Sequence, residues 1–365
     1  MSIIYLILIY AIICFCMILF NVFSIFVEKS SNKINSYKVI KMKEKIKEQF
    51  QRIEDKVEIE EEHLKYLKRK LKKGNQLMIF DSIVTSYQKR ENPYVDRYLE
   101  ACREVFIYLM YRYVKKNSTE SAYYLSVVRD YNIFYKNDKL EIDSILFEAL
   151  QDKNFYYREN AYLSICKMGD PKKMVHALLE ISSSSKFFHQ SIISNGLNIY
   201  NNDQQKLLKL LMKNFDSFRN DIKSCIIEFA SYYDGDYNEF ILELLSSKDT
   251  DKNIRISCLN YFGVIFYALA EDVLVSCVEE SLKSDFSICY AAVKALRNYN
   301  TRSSVRAIKK AIYSDNFKIK DVACESLAVI RLGLNASELD EFASIEELND
   351  MYYYHVRKNM KKTVK

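Results

Sequence analysis

The sequence predicts an all-α protein, and three observations carry that expectation. Six glycines and two prolines among 365 residues fall far below usual levels of roughly 7% and 5%. So few turn formers cannot build many hairpins or glycine-rich phosphate loops. Stripes of apolar residues at helical spacing run through the body, and from residue 140 onward one short pattern returns at intervals of 30 to 36 residues. A period of that length, made of paired helices, is the signature of stacked repeats. The expected architecture is an α-solenoid of helix pairs, preceded by a transmembrane helix and a heptad-bearing juxtamembrane helix.

Residues 1–27 are the first element. Ile3 to Val27 holds no charged side chain, and about 20 apolar residues suffice to cross a bilayer core. A cleaved signal peptide is the competing reading; it calls for a basic leader and a small-residue cleavage site, and neither is present. Lys29, Lys33, Lys38, Lys41, Lys43, Lys45 and Lys47 follow the span. Positive flanks stay cytoplasmic, so the expectation is a single-pass protein of the cell membrane, with its N-terminus outside and its body in the cytoplasm.

Residues 28–74 form a basic juxtamembrane segment, with 15 Lys and Arg against 9 Asp and Glu over 28–73. Ile46, Phe50, Ile53, Val57, Leu64, Leu67 and Leu71 follow a heptad pattern, with Glu60 at one seam position. Two arrangements are open: a coiled coil that makes a homodimer through residues 46–71, or a hairpin in which Leu77, Phe80, Val84 and Tyr87 fold back after a break at Gly74-Asn75. The cluster Lys29, Lys33, Lys38, Lys41 and Lys43 either faces anionic lipid headgroups or only sets topology.

Residues 75–139 are expected to cap the array. Pro93 opens a helix over Tyr94–Lys116, and Asn117-Ser-Thr-Glu120 has capping-box spacing. The array proper spans 140–335. Its phase is set by Arg158, His189, Arg219, Arg255, Cys289 and Lys320, each preceded by an apolar residue and followed three places later by a small or apolar one. Residues 336–365 read as an acidic cap followed by a basic tail with five cations and no acid from 356 onward.

On these residues the chain resembles the HEAT repeat family, in its short bacterial form, over residues 140–335. The shared motif is a turn aspartate followed by apolar-Arg: Asp152 with Arg158, Asp249 with Arg255, and Asp315 with Lys320. The resemblance implies a ladder of such side chains between units; His189 and Cys289 stand where the cation belongs. It also implies a scaffold or adaptor that binds partner proteins, with accessories of envelope-biogenesis complexes among its kind. HEAT-like lyases and DNA glycosylases are the enzymatic alternative.

The residues themselves offer no catalytic site, cofactor or metal site. His63, His176, His189 and His355 are isolated and lack ligand spacing. Nine scattered cysteines, none as Cys-x-x-Cys, read as small buried hydrophobes in a reducing compartment. The body 74–355 carries 34 basic against 39 acidic residues and no Trp, which disfavours nucleic acid as a partner. Twenty-nine tyrosines, several in clusters, leave a Tyr-rich contact surface as the remaining signal.

Overall fold

Short polar side chains start many of the helices. In a computed structural model of the chain, Asp170, Asp203, Asp251, Asp285, Thr301 and Asn316 each accept a hydrogen bond from a backbone N–H of the turn that follows. Pro171 occupies the first helical position after Asp170, where its missing N–H costs nothing. The structure describes residues 36–116, 118–135, 140–233 and 236–330, with 17, 352, 354 and 355. All regular elements among these are helices.

The first six are α1 (residues 36–54), α2 (Glu61–Lys70), α3 (Gly74–Gln88), α4 (Val95–Ala101), α5 (Arg103–Tyr113) and α6 (Ser118–Asp130). They belong to a unit that ends within α7 (Leu140–Ala149) and also takes in Asp152–Asn160. The second unit comprises Leu146–Gln151 and the chain from Ala161. It contains most of α8 (Phe155–Lys167), then α9 (Pro171–Ser183), α10 (Gln190–Ile199), α11 (Gln204–Lys213), α12 (Asn220–Ala230), α13 (Asn238–Ser246), α14 (Lys252–Phe262), α15 (Glu271–Ser281), α16 (Phe286–Leu296), α17 (Arg302–Ile312) and α18 (Phe317–Val329). The division therefore falls inside the span expected for the repeats, and Asp152 and Arg158 lie on the first side of it.

In the first unit the heptad segment is not one helix. α1 stops at residue 54 and α2 starts at Glu61. Lys56 closes α1 in the left-handed region (φ 60°), and Val57 N–H bonds back to Arg52 O at 2.8 Å, a Schellman-type ending without glycine. Gly74, expected as a breaker, is the first residue of α3. The apolar seam faces inward: Met42, Ile46, Phe50, Ile53, Leu67 and Leu71 are buried within the chain, as are Leu77, Phe80 and Val84 of α3. Phe50 meets Tyr87 and Tyr98 edge-on at 4.9 and 5.3 Å. The stripe, open to a coiled-coil or a hairpin reading, is thus largely covered by the chain's own helices, with Val57 exposed. The single helix expected after Pro93 is likewise divided, by a turn at Cys102 between α4 and α5.

In the second unit, α10, α12, α14, α16 and α18 pack each on the next, while α9 packs on α11 and α15 on α17. Two rows result, with small residues where helices of the second row meet: Cys258, Ala292 and Ala323 are fully buried. Gly196 of α10 lies so close to Tyr162 of α8 that a Cβ would overlap its ring. Tyr162 also donates to Ile193 O at 3.1 Å. Helix pairs of this kind cannot bury their stripes alone, and stacking supplies the missing partner.

Lys29, Lys33, the basic tail, residues 3–27 other than Met17, and the C-terminal cap other than residues 352, 354 and 355 lie outside the described residues. Among those described, no helix is long and apolar enough to cross a membrane.

Candidate functional site

The phased positions all fall at or near the start of a helix, Arg158 on α8 and the others on the second-row helices, but they do different things there. Arg158 is buried and donates to the backbone carbonyls of Asp152 and Lys153 at 2.9 and 3.1 Å; the Asp152 carboxylate accepts from Asn154 N–H instead. His189 is exposed and caps α10, its Nδ1 accepting from Ser191 N–H at 3.2 Å. Arg219 reaches back to α9 and the residue after it, donating to Ile181 O (3.3 Å) and Ser184 O (3.1 Å), while Asp221 grips it at 3.0 and 2.8 Å. The Arg255 guanidinium lies 3.8 Å from Cys277 Sγ on α15. Cys289 is fully buried. Asp249 and Asp315 are exposed, and the neighbouring Asp251 and Asn316 do the capping. Lys320 is half-buried on α18. The expected Asp-to-Arg ladder is not the bonding observed at Asp152: its cation goes to backbone carbonyls.

Ties about one repeat apart do exist in the second unit, through other residues. Asn202 donates to Gly169 O at 2.8 Å, and Asn298 to Gly263 O. Tyr200 reaches Gly169 O at 3.4 Å and Tyr299 reaches Tyr267 O at 3.2 Å. Lys252 pairs with Asp285 at 2.8 Å, Lys310 with Glu279 at 2.5 Å, and Ser194 donates to Glu228 at 3.2 Å. The signal for the first set is in the sequence: Tyr200-Asn-Asn and Asn298-Tyr-Asn follow two second-row helices, α10 and α16.

α12, α14 and α16, packed each on the next, border a groove of about 420 Å³. Its walls combine the amides of Gln190, Asn253 and Asn260 with Tyr232, Ile256 and Val264. Glu228 lies at one wall, and Lys294 and Arg297 at another. Beside it, the connection from α14 to α15 exposes three large apolar residues, Val264, Phe266 and Leu269. Amides can hydrogen-bond a peptide backbone in both directions, and an exposed Tyr adds rigid amphipathic area. The groove can therefore take an extended polypeptide segment with an apolar anchor.

The thiols and imidazoles among the described residues are placed as follows. The described cysteines are buried, and burial pushes the thiols up, Cys225 to about 11 and Cys102, Cys258 and Cys324 to about 12, so they are not thiolates at neutral pH. Among the described residues no group of three His, Cys, Asp or Glu could hold a metal. His176 is exposed, 3.6 Å from Glu180 one turn on, and His355 bonds Asp321 at 2.8 Å. His63 is buried in the first unit with Nε2 2.9 Å from Tyr98 Oη. Burial first, and the Lys45 charge second, lower its pKa to about 4, so it is neutral at physiological pH.

Of the basic cluster, Lys38, Lys41 and Lys43 are on α1. Lys38 and Lys41 line a second groove, of about 460 Å³, which α2 completes; Lys43 is exposed and outside it. Lys45 of the same helix joins them there, and so does His63. No protein-family model matches the chain, and no characterised protein matches it in sequence.

Proposed function

We propose that this chain is a membrane-anchored scaffold of HEAT-like repeats, an α-solenoid that holds a partner protein at the cytoplasmic face of the membrane. The observation that carries the reading is the groove along α12, α14 and α16, with its exposed amides, Tyr232 and the adjoining Val264, Phe266 and Leu269. Stacked repeats offer an extended surface of this kind, and a charge-free stretch from Ile3 to Val27 supplies a tether that raises the partner's effective concentration. Fold alone does not name a function; the lining of the groove favours a polypeptide over a small substrate. Its one carboxylate, Glu228, has no second acid or histidine beside it in the lining.

The test is crosslinking in native membranes. Full-length protein should enrich a defined partner protein, and Tyr232→Ala with Asn260→Ala should lose it, while the variant still folds. If no protein is enriched by the full-length chain, or if the groove variant enriches the same partner equally, the adaptor reading fails.

A further inference from the structure

The groove between α1 and α2 has a chemistry that the adaptor reading does not use. Five cations line it: Lys38, Lys41 and Lys45 from α1, and Arg69 and Lys70 from α2. The α1 lysines recur at steps of three and four, which places them on one face of the helix. None of the five forms an ion pair among the described residues, although Lys45 lies 5.1 Å from the centre of the Tyr66 ring. Three carboxylates also border the groove, Glu48, Glu60 and Glu62. Glu60 is already engaged, by Arg52 at 3.2 Å and by Gln49 at 3.4 Å. The cations therefore outnumber the acids and are left without partners of their own.

The floor is built from polar side chains that are almost wholly buried. Gln49 and His63 are used within the protein, Gln49 by Glu60 and His63 by Tyr98. Gln76 is different. It is 7% exposed and lines the groove, and its amide makes no hydrogen bond among the described residues. Its amide is not among the polar atoms sealed off without a partner, so it reaches the groove, where a ligand would meet it. An amide donor beside several unpaired cations suits an anion with more than one acceptor oxygen, which Arg and Lys together hold by charge-assisted bonds.

We propose that this groove binds a phosphate monoester, with Lys41, Lys45 and Arg69 on the phosphate and Gln76 donating from the floor. A volume of about 460 Å³ leaves room for an organic body beyond the phosphate, against the Tyr37 and Tyr66 side chains that share the lining. The ester comes either from a soluble metabolite or from a lipid headgroup. The groove opens on Lys38, only 11 residues after Val27, which puts it within reach of a membrane surface if the apolar stretch inserts. The inference is independent of the adaptor reading: the two grooves lie in different units and are tested by different variants.

The experiment measures equilibrium binding by the full-length protein in neutral detergent. One arm titrates glycerol 3-phosphate; the other adds phosphatidic acid to phosphatidylcholine micelles, with phosphatidylcholine alone as the blank. Each charge-assisted bond removed should weaken binding by about ten-fold or more. Lys41→Ala with Lys45→Ala should therefore lose binding, as should Arg69→Ala, and Gln76→Glu should lose it by repulsion. Lys43→Ala with Lys47→Ala removes two exposed cations of α1 that do not line the groove, and should leave binding within about two-fold. Binding of both ligands, or of the soluble ester alone, assigns a metabolite; binding only of phosphatidic acid assigns a headgroup. The proposal is overturned if neither ligand binds, or if the Lys43/Lys47 variant loses affinity as far as the groove variants do, since that is the behaviour of diffuse surface charge.

Discussion

The two units solve the same problem, holding helices together with few glycines and prolines, in opposite ways. The first is knotted by long-range tyrosine bonds. Tyr113 donates to Leu71 O at 2.7 Å, and Tyr123 and Tyr131 both donate to the Asp81 carboxylate at 2.7 Å. An aromatic cluster of Phe80, Phe106 and Tyr131, with centroids 5.7 to 6.2 Å apart, fills its centre. The second unit uses its tyrosines differently: Tyr162, Tyr200 and Tyr299 each donate to a backbone carbonyl about one repeat away. Its ties recur at about one repeat of sequence separation, and its seams are lined by Ala and Cys. A knot should melt as one; a stack should give way locally.

Substitutions that break each region test the contrast. Phe80→Ala removes the ring at the centre of the first unit and should cost about 3–5 kcal/mol, with hydrogen-exchange protection falling together across α2 to α6. Ala292→Asp puts a carboxylate without a partner into the seam of the second unit, also at several kcal/mol. Here protection should fall in α14, α16 and α18 while the first unit keeps its own. Uniform loss of protection throughout the chain would remove the distinction, and unchanged melting of Ala292→Asp would show that the seam is not where we place it.

Acid should sharpen the contrast. The folded-state pKa of His63 is lowered to about 4 from 6.5, so the unfolded chain binds the proton first. Stability is therefore full above pH 6.5 and is lost as pH falls toward 4, by at most about 3 kcal/mol. His63→Gln should flatten that part of the pH profile of denaturant midpoints, and only for the transition of the first unit. Wild-type and variant profiles that run parallel from pH 7 to 4 would remove the assignment.

Smaller effects follow from the ties. Asn202→Ala and Asn298→Ala each remove a hydrogen bond to a glycine carbonyl and should each cost about 1 kcal/mol. Three repeats separate them, so the double variant should be additive; a marked excess would mean that the second unit also melts as one. The smallest change is a gain. Lys56 is left-handed at φ 60°, a conformation that glycine adopts without strain, so Lys56→Gly should raise the midpoint of the first unit by up to about 1 kcal/mol.

The helical class could be read from the sequence, because apolar spacing is a local signal; the turn acids Asp249 and Asp315 were legible too, but the caps are their neighbours Asp251 and Asn316. The ends of helices were harder. Nothing at Asp55-Lys56 announces a break, since neither residue is Gly, Asn or Pro, and a heptad stripe looks the same whether it faces another chain or α3 of its own. The ties were less legible still. Asp152 and Arg158 stand at a spacing that suits a salt bridge, yet the guanidinium goes to carbonyls, and sequence does not mark which carbonyls are free. The α1–α2 groove was half visible as a run of lysines. Arg69, Lys70 and Gln76 join it only once α2 turns back after residue 60.

A tie that ends on a carbonyl has a one-sided dependence on side chains. Asn202 and Arg219 each need their own donor, but Gly169, Ile181 and Ser184 offer only main-chain oxygen. Any residue at those acceptor positions that keeps the backbone path keeps the bond. The bond itself is thereby insulated from side-chain change on its acceptor side, unlike the ties that end on Asp285, Glu279 and Glu228. Variation on exposed walls such as Tyr232 and Asn260 likewise leaves these bonds in place, so a new partner could be met there without rebuilding the frame.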